Sequence, residues 1–381
     1  MACIVGDGPT LSPTAQCRSK SKSFIAVQTP LLCWVYRLPF SSAHEHPVRR
    51  EPAMKLGRTS RCTLFIFGLL LSLTSLGAFA QTAPKVYHLG VLSPSSGTVE
   101  RLRRLMLPEL ARLGFAEGDN LVLNVEAGPR EELPRLALAL AATRPDAVIA
   151  ASGPAIRAVR HAAPTVPIIG GFIGEDPIVA GFASNLAHPG GTITGIAMLA
   201  PELDAKRLLL LHEAVPNSRR IAALAVQVSR DAPNIASVKE AADRAGVELL
   251  PFYAASRDDY PSVFAAMRSA GAEALEIISA PELYTDAAML AELAAETRLP
   301  TICEWADMAQ SGCLLGYGPD LAELEHRVAS YVARIFRGAA PGDLPIERPT
   351  HFQFAINLKT AKALGLTLPP AILARADDVI E

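Results

Sequence analysis

The sequence predicts an α/β fold of two similar lobes, each a parallel sheet flanked by helices. Three observations predict it. From residue 86 onward, short apolar runs alternate with amphipathic stretches of helical length, the pattern of right-handed crossovers between parallel strands buried on both faces. The alternation occurs twice, with glycine and proline punctuation between the two series. Half of the 381 residues are hydrophobic but only 6% are aromatic, which favours helices packed on sheets and supplies enough apolar material for two modest cores.

In the first series, "VYHLGVL" (86–92) reads as a strand and "VERLRRLMLPELARLG" (99–114) as a helix ended by Gly114. "NLVLNVEA" is the next strand and "EELPRLALALAAT" the next helix. "DAVIAAS" (146–152) and "VPIIGGF" (166–172) are buried strands with a helix over "AIRAVRHAA" between them. In the second series, "ELDAKRLLLLHEAV" is a helix, "RRIAALAV" (219–226) a strand and "NIASVKEAADRAG" a helix. "VELLPFYA", a helix over "YPSVFAAMRSAG", "EALEIIS" (273–279) and a helix through "LYTDAAMLAELAAET" follow. "LPTICE" and "GCLLGYG" are short strands, and "LAELEHRVASYVARIFRG" is a long helix closed by Gly338.

A targeting signal precedes the first strand. A basic stretch from Met54 to Arg61 leads into the uncharged run "CTLFIFGLLLSLTSL" and then "GAFA", where Ala78 and Ala80 form an A-x-A cleavage site. The apolar run falls short of the ~20 residues a spanning helix needs. Residues 54–80 are therefore expected to be a signal peptide cleaved near Ala80, and 1–53 an over-extended reading frame or a disordered extension. The expected destination is the periplasm. Residues 1–80 carry nine Lys and Arg against three Asp and Glu, and the remainder carries 27 against 35. An acidic folded portion offers no footprint for nucleic acid. Only Cys303 and Cys313 lie beyond the cleavage site; their spacing allows either a bridge or two buried thiols.

Catalytic motifs are missing. Gly190 and Gly195 in "NLAHPGGTITGI" have phosphate-loop spacing, but Ile196 and Ala197 stand where Lys and Ser/Thr are needed. The stretch reads better as a glycine-permitted turn that directs "TITGI" toward the second series without touching a ligand. No G-x-G-x-x-G follows the first strand, there is no G-x-S-x-G, and the histidines lack metal-ligand spacing. No cofactor, metal site or catalytic residue is expected.

The informative positions are the strand ends, because parallel α/β sheets bind ligands at the carboxyl edge of their strands. In the first series these are "SPSS", with Ser93 and Ser95, "SGPA", with Ser152 and Gly153, and "GFIGED", with Phe172 and Asp176. In the second they are "QVSRDAPN", with Ser229, "SAPELY", with Ser279 and Tyr284, "EWAD", with Glu304, and "GYG", with Tyr317. Hydroxyls, acids, aromatics and free helix-start amides suit a small polar or aromatic molecule gripped between two lobes. Asp176, before Pro177, also reads as a helix cap. Phe172, Tyr284, Trp305 and Tyr317 read equally as stacking surfaces or core.

Long blocks resemble a known family. "GFAEGDNLVLNVE", "RPDAVIAASGPAIRAVRHAAPTVPI", "DPIVAGFASNLAHPGGTITGI", the run from "YGPDLAELEHRV" to "INLKTAKALGL", and "LPPAILARADDVIE" are similar to bacterial ABC-transporter substrate-binding proteins of the tryptophan/tyrosine type. The resemblance implies a type I periplasmic-binding-protein fold, with a three-segment hinge and lobes at 85–198 plus 316–344 and 199–315 plus 345–381. It implies a monomeric, non-catalytic receptor that delivers a small molecule, such as an aromatic amino acid, to an ABC permease and its ATPase. On this resemblance Asp176 suits a ligand ammonium, and the Ser152–Gly153 turn suits a carboxylate. Residues 228–231 depart from the Asn-Pro stretch common in the family, so second-lobe contacts do not carry over. A ligand-sensing domain for a membrane receptor shares every pocket feature and differs in partner; a secreted α/β enzyme would need a reactive constellation at the strand ends.

Overall fold

The central apolar runs become strands because both their faces are buried. The computed structural model describes residues 85–227 and 233–381; the expected leader, the segment before it and Ser229 lie outside them. In chain order the first strands and helices are β1 (Tyr87–Ser93), α1 (Ser96–Arg101), α2 (Leu107–Arg112), β2 (Leu121–Ala127), α3 (Leu133–Ala142), β3 (Ala147–Ala150), α4 (Gly153–Ala162), β4 (Ile168–Ile173) and β5 (Ile193–Ala197). These are followed by α5 (Ala200–Ala214), β6 (Arg220–Val226), α6 (Pro233–Ala245), β7 (Glu248–Ala254), α7 (Tyr260–Ser269), β8 (Ala274–Ile277), α8 (Pro281–Thr285), α9 (Ala287–Thr297) and β9 (Thr301–Cys303). The chain ends with β10 (Leu315–Pro319), α10 (Leu321–Phe336), β11 (Ile346–Glu347), β12 (Phe352–Asn357), α11 (Leu358–Leu364), α12 (Pro370–Leu373) and β13 (Asp378–Ile380).

The first sheet has the order β11-β5-β4-β3-β1-β2 and the second β13-β12-β10-β9-β8-β6-β7. Every pairing in the first is parallel. Within it "AVIA" and the start of "IIGGFI" are fully buried, as central strands covered by helices must be. The expected helix over 99–114 starts earlier, at a Ser95 side chain that accepts from the Gly97 amide, and passes through a π turn at Leu102–Met106. That turn precedes Pro108, which has no N–H to extend the i−4 ladder. Among the described residues no helix is long and apolar enough to cross a membrane.

The second sheet contains one reversal that the alternation did not predict. β12 runs antiparallel to β10, with Phe352 opposite Pro319. The cause is the chain path: β10 leaves the second sheet at its carboxyl end, and α10 then packs on the first lobe, where Phe336 meets Tyr87 at 4.7 Å and Phe115 at 5.2 Å. The chain adds β11 beside β5 and re-enters the second sheet from the end by which it left.

This path corrects the expected segment boundaries. Residues 316–319 belong to a strand of the second sheet, not to the first lobe, and Ile346–Glu347 belongs to the first sheet, not to the second lobe. The three crossings fall at Met198–Leu199, just after Pro319, and between Glu347 and Phe352. Leu199 holds φ +54°, ψ +43°, a left-handed conformation that a branched side chain rarely adopts. "TITGI" does lead to the first crossing as β5. Its glycine turn, with Gly190 and Gly191 at φ +71° and +70°, lies at the opposite end of that strand, and the Gly190 amide donates to Gly342 O at 3.2 Å.

Candidate functional site

The carboxyl ends of the two sheets face each other across a cavity of about 660 Å³. The first lobe contributes Arg101, at the end of α1, and Ser152, Gly153, Phe172, Glu175 and Met198, at strand ends and a helix start, to its wall; the second lobe contributes Asn234, Ser279, Tyr284, Glu304 and Trp305. Contacts bridge the two sides. Arg130, after β2, donates to both oxygens of Glu282 in α8, at 2.5 and 3.1 Å. The Ser95 and Thr285 hydroxyls are hydrogen-bonded across the same gap.

One wall is aromatic and cationic. The Phe172 and Trp305 rings, one from each lobe, lie 5.6 Å apart at 48°. The Arg101 guanidinium is 4.5 Å from the Phe172 ring centroid and 5.4 Å from that of Tyr284, within cation–π range of both. Tyr284 donates its hydroxyl to Asp307 Oδ2 at 2.9 Å. Burial first, and then the Asp307 charge, push its phenol up to about 12.

The floor rests on a buried ion pair. Arg207, fully buried on α5, donates to Asp204 Oδ1 at 2.5 Å, Ser279 Oγ at 2.8 Å, Glu304 O at 3.0 Å and Tyr317 O at 2.6 Å. Asp204 also accepts from the Ser279 hydroxyl at 2.7 Å and from Asn234 at 2.6 Å. One guanidinium thus ties together the ends of β8, β9 and β10, which fixes the residues that face the cavity. Burial pushes the half-buried Glu304 carboxyl up to about 7; Arg207 opposes this, and Asp204 adds to it.

Close backbone approach aims the floor residues. The 304–306 chain lies directly over β10, where a Cβ on Gly316 would sit 2.3 Å from Trp305 O and one on Gly318 2.3 Å from Glu304 O. Only glycine leaves that space. Cys303 and Cys313 are disulfide-bonded, with Cα atoms 6.3 Å apart, so the loop carrying Glu304 and Trp305 is closed covalently.

At the rim, Arg157 donates to both Glu175 oxygens, at 2.8 and 3.0 Å. The Glu175 carboxylate fills the space above the start of α4: a Cβ on Gly153 would lie 1.5 Å from Glu175 Oε1. Ser152 Oγ is engaged as the cap of α4, accepting from the Ala155 amide at 3.3 Å.

Of the residues singled out from sequence, Ser152, Gly153, Phe172, Ser279, Tyr284 and Glu304 line this cavity; four described ones do not. Asp176 is exposed, and its carboxylate accepts from the Ile178 and Val179 amides at 2.7 and 3.0 Å, so it caps its own loop. Tyr317 is buried, its ring stacked on Phe352 at 6.0 Å and its hydroxyl bonded to Lys206. Ser93 is fully buried and holds the Ser95 carbonyl at 2.8 Å, and Ser95 caps α1. Arg101, Arg130, Arg157, Asp204 and Arg207 were missed, and of the two adjacent acids in "GFIGED" the expectation fell on Asp176, whereas Glu175 is the one that lines the cavity. Arg101 and the Asp204–Arg207 pair carry a signal that could have found them: charges on the apolar stripe of a helix.

Known proteins share this fold. A curated tyrosine-binding protein of Clostridioides difficile (strain R20291) is 23% identical over 285 residues, 71% of this chain and 78% of that protein. The crystal structure of an ABC domain from Streptococcus pneumonia in complex with L-Trp superposes with a TM-score of 0.69, at 23% identity, over 78% of this chain and 100% of that one. A conserved domain protein from Vibrio cholerae gives the same TM-score and identity over 77% and 100%. The family model described as ABC transporter substrate binding protein matches residues 101–380, nearly all of both lobes. The chain belongs to the ABC transporter substrate-binding proteins.

Proposed function

We propose that the protein captures a small solute with a flat ring, such as an aromatic amino acid, in the cleft and hands it unchanged to an ABC permease in the inner membrane. The observation that carries this reading is the pairing of Phe172 from one lobe with Trp305 from the other at the carboxyl edges of both sheets. A ring bound there touches both lobes only when they are together, so it favours the closed arrangement by its differential contacts. The cavity volume lies in the range of small-molecule sites. Two similar proteins, one a tyrosine-binding protein and one solved with L-Trp, support the aromatic class.

The test is a thermal-shift screen of the purified protein against amino acids, aromatic acids, sugars and nucleosides, with each hit re-measured by mass spectrometry after incubation. A ring-bearing solute that raises the melting temperature in proportion to the logarithm of its excess, and is recovered intact, supports the reading. Chemical conversion of the hit, or hits confined to sugars, would overturn it.

A further inference from the structure

We propose that Arg101 is the carboxylate anchor of the cleft, which makes the ligand class a ring-bearing carboxylic acid. The inference rests on the solute-binding reading and deepens it. Arg101 is only 5% exposed, yet its guanidinium makes a single hydrogen bond among the described residues, from Nε to Glu325 Oε1 at 2.7 Å. Its two terminal nitrogens, with four N–H donors, have no acceptor there, and the residue lines the cavity. Neither terminal nitrogen is among the fully buried side-chain atoms that lack a partner, so both keep donors that an acceptor on a ligand can take up.

The surroundings fix its geometry. Phe172 and Tyr284 hold the guanidinium at 4.5 and 5.4 Å from their ring centroids, and Glu325, fully buried on α10, anchors its Nε side. What remains open is the planar edge that matches a carboxylate bidentately. A ligand whose carboxylate meets this edge brings its ring toward Phe172 and Trp305.

The other two arginines that line the cleft each hold both oxygens of a protein carboxylate, whereas Arg101 holds one oxygen of Glu325. Arg157 is bonded to Glu175 and Arg130 to Glu282. The start of α4, where Ser152 and Gly153 were expected to receive a carboxylate, is covered by the protein's own Glu175. On the opposite wall, burial pushes Glu304 toward neutrality. The proposal therefore asks for a carboxylate on the ligand and makes no demand for a cationic group.

The experiment separates these groups. Isothermal titration of the full protein uses L-tryptophan, L-tryptophanamide, tryptamine and indole-3-propionate, together with L-tyrosine, tyramine and 3-(4-hydroxyphenyl)propionate. The carboxylates are expected to bind, and removing the carboxylate as amide or amine to cost about 30-fold or more, the lower end for unpairing a buried charged hydrogen bond. Because Arg101→Met alone strands Glu325, the double variant R101M/E325Q tests the loss. It should weaken the carboxylates by a similar factor and bring carboxylate and amide to within about threefold of each other. Arg101→Lys keeps the charge and should recover only part of the preference.

Equal binding of carboxylates and their amides to the wild-type protein would overturn the assignment and leave the solute-binding reading intact. So would a carboxylate preference that survives in R101M/E325Q, which would place the anchor elsewhere. Binding by none of the seven probes would overturn both the assignment and the aromatic class.

Discussion

Removing the Cys303–Cys313 bridge is the perturbation whose size the structure fixes best. The two cysteines are ten residues apart and fully buried, so the bond closes a loop of about eleven residues. In the chain-entropy treatment, closing such a loop removes about 9 cal/mol/K from the unfolded chain, or about 2.8 kcal/mol at 25 °C. The double variant Cys303→Ala/Cys313→Ala avoids burying new hydroxyls and should lose about 3 kcal/mol in urea unfolding, with an unchanged or larger m-value as the unfolded chain expands. A second effect follows from position. The freed loop carries Glu304 and Trp305 on the cleft floor, so ligand affinity should fall although neither residue is replaced. A stability loss below about 1 kcal/mol would refute the loop-closure argument. Unchanged affinity for a ring-bearing ligand would refute the claim that the bond holds the floor in place.

Arg207→Met leaves Asp204 buried without its ion-pair partner, and should cost about 3–5 kcal/mol of stability in urea; an unaffected variant would show that the β8, β9 and β10 ends hold their places without it. Glu304 binds its proton more tightly in the folded state, at about 7, than the 4.5 of an ordinary glutamate. Its contribution is therefore fully present below pH 4.5 and is lost as pH rises through about 7. Glu304→Gln should gain up to roughly 3 kcal/mol over wild type at pH 8 and nothing at pH 4; equal melting-temperature differences at the two pH values would contradict this. Gly153→Ala meets only the movable end of Glu175, so it should fold normally and alter ligand affinity. Gly318→Ala meets the Glu304 backbone and should lower the melting temperature by several degrees.

Much of the architecture was legible because burial on two faces writes itself as apolar runs: "AVIA", "ALEI" and "RIAALAV" became central strands with no further context needed. The β12 reversal was not legible. Phe352–Asn357 has the same kind of pattern in either direction, and its sense is set by where α10 leaves the chain. At the site, strand ends identified Phe172, Ser279, Tyr284 and Glu304, because a parallel sheet always exposes that edge. They misplaced Asp176 and Tyr317, whose side chains satisfy their own loop and core. Arg101 was hidden in plain composition. "ERLRRLM" contains three arginines, and only its burial beside Leu102 and Met106 distinguishes the first from its solvated neighbours. Helical phasing shows this: Thr98, Arg101, Leu102 and Met106 form one buried stripe.

The ties between Arg130 and Glu282 and between Ser95 and Thr285 have a thermodynamic consequence separate from recognition. Neither pair involves a ligand, so whatever free energy they contribute raises the shut fraction of empty receptor. Observed affinity scales with that fraction. Loosening the latch would therefore weaken every solute by one common factor and leave their ranking untouched. It would also leave fewer empty, shut molecules to compete with loaded ones wherever a shut receptor is recognised. On the proposed reading, the rim scales the affinity of all solutes alike, and the centre of the cleft tells one solute from another.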